Sequence, residues 1–210
     1  MYRPPAFRED DPTQLRRIMR EARLATLVTA TDEGLMATPL PLFLDDREGT
    51  YGVLYGHVAK ANPQCQKPAI GEALALFAGP DAYVSPSWYA AKQEHGKVVP
   101  TWNYEAVHAY GPVEFFEDEA RLRDIVARLT DLHEGGRTEP WAVSDAPEAF
   151  IRAQLRGIVG LRLPIARIEG KRKLSQNRSD VDRQGVASGL SGSARESDRR
   201  VAAMIPRDAD

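Results

Sequence analysis

Apolar and polar positions alternate with two different periods along this chain, and the changes of period divide it into elements. Leu15, Ile18, Met19 and Ala22 fall at i, i+3, i+4 and i+7, which predicts a helix capped at Asp10-Asp11 with Pro12 in its first turn. Leu24–Ala30 is short, apolar and rich in β-branched residues, so it predicts a buried strand, and Thr31-Asp32-Glu33-Gly34 is a turn signal. Leu35–Leu44 predicts the returning strand of a hairpin. Pro39 and Pro41 lack an N–H, so that strand must lie at an edge, carry a bulge or face a ligand. Tyr51–Val58 and Ala73–Ala78 predict two more strands, the second closed by Gly79-Pro80.

Helical spacing returns later. Leu122, Ile125, Val126, Leu129 and Leu132 form one apolar stripe between an Asp118 cap and Gly135-Gly136. Phe150, Ile151, Leu155, Ile158 and Val159 form another, capped by Ser144 or Asp145 with Pro147 in the first turn. Leu161–Glu169 alternates as a last strand. From Ser188 the composition is that of a linker, and Arg199–Pro206 predicts at most a short amphipathic turn. Antiparallel strands joined by short turns, with helices inserted late, predict a mainly β (α+β) fold, a small barrel with appended helices. The expected boundaries are one domain over residues 1–190 and a flexible tail over 191–210.

One stretch stands apart, Tyr83–Tyr110. On a strand, Trp102, Tyr104, His108 and Tyr110 fall on one face. Such a face suits a planar heteroaromatic ligand, and it equally suits the rim of a sheet core. Both readings stand at this point.

Composition narrows the classes. The 28 basic and 30 acidic residues give a net charge of −2, which supplies no electrostatic footprint for a polyanion. Cys65 is the only cysteine, which excludes an internal disulfide and a cysteine-rich metal site. The polar start MYRPPAFREDDP and the lack of a long apolar run give a cytoplasmic, non-membrane expectation. His57, His95, His108 and His133 show no metal-ligand spacing, and no nucleophile elbow surrounds Ser85 or Ser87, so neither a metal site nor a catalytic residue is assigned. The Pro-Gln-Cys-Gln-Lys context of Cys65 fits a packing thiol better than an activated one. His57, Lys60 and Asn62 stand together at a strand exit, where a cation and several donors can hold a phosphomonoester or simply start a helix. Lys171–Arg178 (KRKLSQNR) is a basic run following a strand, open to phosphate, nucleic acid or solvent.

Tyr83–Gly111, Gly56–Gln64 (GHVAKANPQ), Lys173–Arg178 (KLSQNR), the start MYRPPAFRED and Thr130–Pro147 closely resemble the PaiB family, from Met1 to about Leu190. That family is described as FMN-binding negative transcriptional regulators, related to pyridoxamine-phosphate-oxidase-like split barrels. The resemblance implies an FMN-binding split β-barrel, a homodimer with FMN between subunits, and a possible DNA partner. It implies FMN contacts at Lys60 and Asn62, with His57, Thr38, Leu40, Trp102 and His108 around them. Thr38-Pro39-Leu40 stands where many relatives carry an arginine, which weakens the phosphate site, and Lys173, Ser175 and Asn177 are the residues that compensate. The rival class is a flavin-dependent oxidoreductase or flavin reductase, with His95 and His108 as acid or base by residue type. A third is an interaction module with a vestigial pocket.

Overall fold

The computed structural model describes residues 1–206. The chain forms two compact units, one of Met1–Ile18, Ala78–Val107 and the segment from Glu169, the other of Met19–Phe77 and His108–Ile168. Two long strands, β6 (Ala73–Val84) and β7 (Thr101–Gly111), run through both.

In the second unit β2 (Ala25–Thr31) lies between β3 (Gly34–Leu40) and the start of β6, antiparallel to each, with Thr31 paired to Gly34 at the hairpin turn. A separate four-stranded sheet runs β4 (Leu42–Asp45), β5 (Val53–Ala59), β9 (Ile158–Pro164) and β8 (Glu114–Phe116), antiparallel throughout. Helix α3 (Glu119–Glu134) is capped by Asp118, whose carboxylate accepts the Arg121 N–H at 2.8 Å, and it buries Leu122, Ile125 and Leu129. Leu122 packs with Ile151 and Leu155 of α4 (Glu148–Leu155).

In the first unit the order is β1 (Arg8–Glu9), β10 (Arg167–Lys173), β7 and β6. Beside them lie α1 (Pro12–Glu21), the short α2 (Ala91–His95), α5 (Asp180–Ser191) and α6 (Glu196–Met204). The core of this unit gathers Ala82, Val84, Tyr89, Leu174, Val186, Leu190, Val201 and Ile205. Among the described residues no helix is long and apolar enough to cross a membrane.

Five sequence expectations change. The second helical stripe ends with α4 at Leu155: Ile158 and Val159 belong to β9, and Phe150 is exposed. The strand expected over Leu35–Leu44 is two strands, broken at Pro41 and belonging to different sheets, because Pro41 has no N–H to continue a ladder. The strand expected to end at Gly79-Pro80 continues to Val84, with the side chain of Glu105 lying 2.5 Å from where a Cβ on Gly79 would sit, so glycine here is a close-approach position. Leu161–Glu169 is likewise split between β9 and β10 after Pro164, and the basic run that follows is itself half strand. The linker-like segment from Ser188 ends α5 over 188–191 and enters α6 at Glu196, and Arg199–Pro206 overlaps α6, whose Val201 is fully buried. Gly189, inside the linker-like segment, and Gly185, just before it, are packing positions. A Cβ on Gly185 would lie 2.0 Å from the Trp88 carbonyl oxygen, and one on Gly189 2.4 Å from the Trp88 indole. The remainder of the expected tail, 207–210, lies outside the described residues.

Candidate functional site

The exit of β5 is built by a close crossing of strands. A Cβ on Gly56 would lie 2.6 Å from Leu42 and 2.8 Å from the Pro41 carbonyl oxygen, so only glycine lets the chain pass there. Leu40 is buried beside it. Asn62 then caps a single 3-10 turn at Pro63–Cys65, accepting the Gln64 N–H at 3.0 Å, with proline in the first position of the turn. That turn inserts Gln64 into the β2–β3 hairpin. Its amide nitrogen donates to the carbonyl oxygens of Leu27 and Met36 and to the Thr29 hydroxyl, at 3.0–3.3 Å. The loop is therefore anchored by one fully buried side chain.

On this anchor sit Thr38, Lys60 and Asn62. The Asn62 amide donates to the Thr38 hydroxyl at 3.0 Å, leaving a second amide proton and the Thr38 hydroxyl proton for another acceptor. The Lys60 ammonium is half-exposed and pairs with the equally exposed Glu117 at 2.5 Å. His57, one strand position beyond Gly56, is mostly buried. Burial holds its imidazole below the ordinary histidine range, and its Nδ1 has no hydrogen-bond partner. The Cys65 thiol, 3.0 Å from the Asn62 carbonyl oxygen, is pushed up by burial, the opposite of an activated thiol.

A second group lies on β7 and β10. Trp102 is half-exposed and meets Tyr83 edge-on at 6.0 Å, while the opposite face of β7 is buried and includes Asn103 and Glu105. Glu105, 2% exposed, is held by Arg17 at 2.8 Å and Arg172 at 3.2 Å. Lys173 donates to the Thr101 hydroxyl and, at 2.9 Å, to the Trp102 carbonyl oxygen. Burial, and after it the charges of Lys171 and Arg178, hold its ammonium below the usual lysine range. Ser175 takes a left-handed backbone (φ 64°) and is buried against the Asn103 amide at 2.9 Å, so its hydroxyl is engaged inside the fold. Asn177 is exposed. His108 lies 3.2 Å from the Tyr110 hydroxyl, and the Arg167 guanidinium covers the Tyr110 ring.

The structure thus joins Thr38 directly to Asn62, and Lys173 to the Trp102 backbone. Gln64 and Glu117 escaped sequence reasoning. Gln64 is an ordinary polar residue until the Asn-Pro turn buries it, and Glu117 meets Lys60 only through the fold.

The family model described as "Putative FMN-binding domain" matches residues 1–167. The chain is 31% identical over 206 residues to "Protease synthase and sporulation protein PAI 2" of Bacillus subtilis, covering 98% of this chain and 96% of that one. The chain belongs to the PaiB family of FMN-binding-domain proteins. It is also 31% identical to an uncharacterized protein of Emericella nidulans, covering 98% and 96%. Among solved structures it is similar to the FAD and heme binding protein of Mycobacterium smegmatis (TM-score 0.57, 17% identity, 79% of this chain and 73% of that one). The flavocytochrome Anf3 of Azotobacter vinelandii gives TM-score 0.56 at 18% identity, covering 79% and 68%. At these identities the likeness shows the fold alone, an antiparallel split-barrel class with appended helices.

FMN is the cofactor that membership of the family assigns. The donor set at the β5 exit fits a phosphomonoester: a hydroxyl proton, an amide proton and an ammonium whose carboxylate partner, Glu117, is in a solvent-exposed pair.

Proposed function

We propose that this protein is a cytoplasmic FMN-binding negative regulator of transcription of the PaiB type, and that it works as a homodimer. What carries the flavin part is the arrangement of Thr38, Asn62 and Lys60 on the loop anchored by Gln64. Lys60 would attract the FMN phosphate, and Thr38 and Asn62 would orient it by donating to its oxygens. The dimer reading is supported by the half-exposed Trp102 and Tyr83, large aromatics of the kind that interfaces bury.

The regulator part rests on the family. The run Lys171–Arg178 is the sequence candidate for DNA contact, yet its cations serve their own unit. Lys171 is 8% exposed and faces Tyr104, Arg172 binds Glu105, Lys173 binds the β7 backbone, and Arg178 covers Tyr89. The reading accordingly favours regulation through a protein partner over a direct grip of this run on DNA.

Titration of Lys60→Ala with FMN tests the site. The expected loss is about 1.5–3 kcal/mol, roughly ten- to hundred-fold in affinity, and an unchanged affinity would remove Lys60 from it. An NAD(P)H oxidation assay on the FMN-loaded protein, beside a promoter gel shift across a salt series, tests the regulator reading. Slow turnover is expected. Rapid turnover without a salt-sensitive shift would favour a flavin-dependent oxidoreductase, and a shift that weakens steeply with salt would restore direct DNA contact.

A further inference from the structure

The hairpin that carries Thr38 has a second face, to which Thr38 does not belong. Burial alternates strictly along β2, with Ala25, Leu27, Thr29 and Thr31 inside and Thr26, Val28 and Ala30 partly exposed. Directly opposed residues of an antiparallel pair share a face, so the register extends this outer set over three strands. Pro39 and Leu76 flank Thr26, Ala37 and Leu74 flank Val28, and Leu35 lies opposite Ala30. Leu35 is 78% exposed, Ala37 and Pro39 are exposed, and Leu74 and Leu76 are partly so. Ile70, 59% exposed, lies at the Ala30 end, where its N–H donates to the Ala30 carbonyl oxygen at 2.8 Å. None of these positions is charged, and only Thr26 is polar.

An antiparallel sheet with one face in water alternates apolar-in with polar-out. Here the outward positions are apolar as well, which marks a face that another surface covers. β3 is also the last strand of its sheet, and a lone edge strand is normally guarded by charge, of which Gly34–Leu40 has none. We propose that a second copy of this chain covers the face, with the two β3–β2–β6 faces packed on each other about a two-fold axis. The inference rests on the homodimer reading above and names an apolar centre for the contact that Trp102 and Tyr83 do not supply. Two properties select a second copy. Transient partner surfaces are about as apolar as any other surface, whereas homodimer interfaces are more so. A two-fold contact also sets a patch against itself, which brings like charges together unless the patch is neutral, as this one is. Pro39 selects the manner of contact. Having no N–H, it cannot donate to a ladder added along the β3 edge, so the faces stack and the edges do not pair.

Sedimentation equilibrium of the full chain tests the proposal, with wild type, Ala37→Glu, Ala37→Lys and Leu35→Glu at low and high salt. Both positions are exposed, and far-UV circular dichroism confirms that each variant is folded. Wild type is expected to be a dimer at micromolar concentration, and no weaker at high salt, because an apolar contact is not screened. Each copy of a variant brings one charge into that contact, so the dimer dissociation constant should rise at least about a hundred-fold, for either sign of charge. A dimeric wild type with variants that dimerise equally well overturns the proposal and leaves the homodimer reading standing. A monomeric wild type overturns both. A dimer that salt dissociates, or that one sign of charge breaks and the other spares, is held by charges, and that too overturns the proposal.

Discussion

Two basic segments of this protein look alike in sequence and differ in what the fold does with them. At Val58–Asn62 the cation is half-exposed and its partner is a half-exposed carboxylate, so it can be handed to a ligand at little cost. At Lys173–Asn177 the cation bonds a backbone carbonyl, Leu174 is fully buried, and Ser175 is closed off against Asn103. A group whose donors are consumed by the fold stabilises the fold, and a group whose donors remain exchangeable can bind something else. The difference separates a ligand segment from a structural one without any bound molecule.

The largest effect that could break this contrast is Leu174→Ala. Leu174 is 0% exposed in the core of its unit, and truncation there should cost about 2–5 kcal/mol. Chemical denaturation measures it. A loss under about 1 kcal/mol would mean that the second segment is not tied to its core. Next is Asn103→Ala, which leaves the Ser175 hydroxyl buried without its partner and should cost about 1–3 kcal/mol. The contrast weakens if this variant melts like wild type but binds FMN poorly, because Ser175 would then serve the ligand.

Much of the frame was legible because it depends on local chemistry. The Asp118 cap, the Leu122–Leu132 stripe and the β2–β3 hairpin are written in neighbouring residues, and the structure has all three except that Leu132, at the end of the stripe, is exposed. The alternation over Trp102–Tyr110 also holds, with Asn103, Glu105, Val107 and Ala109 buried and the aromatic face more open. What the pattern hid is long-range. A buried carboxylate such as Glu105 reads as a solvent-facing residue until Arg17 and Arg172 arrive from 88 and 67 residues away. Gly189 reads as part of a linker until Trp88 packs on it. Lys60 was visible as a cation at a strand exit, but its relation to Glu117, 57 residues on, exists only in the fold.

The smallest expected effect sharpens the contrast through pH. His57 immediately precedes the exchangeable segment on β5, and the Lys171–Arg178 run has no histidine. Burial lowers the His57 pKa from its ordinary 6.5, and the buried Nδ1 has no acceptor to stabilise a proton. As pH falls through 6.5, the unfolded chain takes up a proton at this position that the folded protein refuses. The unfolded state then binds more protons, so stability is fully present above that pH and declines below it. Asp45, held well below the carboxylate range by hydrogen bonds from Arg47 and then Arg128, adds its own acid sensitivity only below its ordinary 3.8, so the two windows are separate. Urea melts of wild type and His57→Gln at pH 7.5 and 5.5 isolate the first window. Wild type should lose stability between them, and the glutamine variant, which has no proton to take up, should lose less. Equal losses in the two proteins would mean that the imidazole titrates freely and that the exit of β5 is more open than its burial implies.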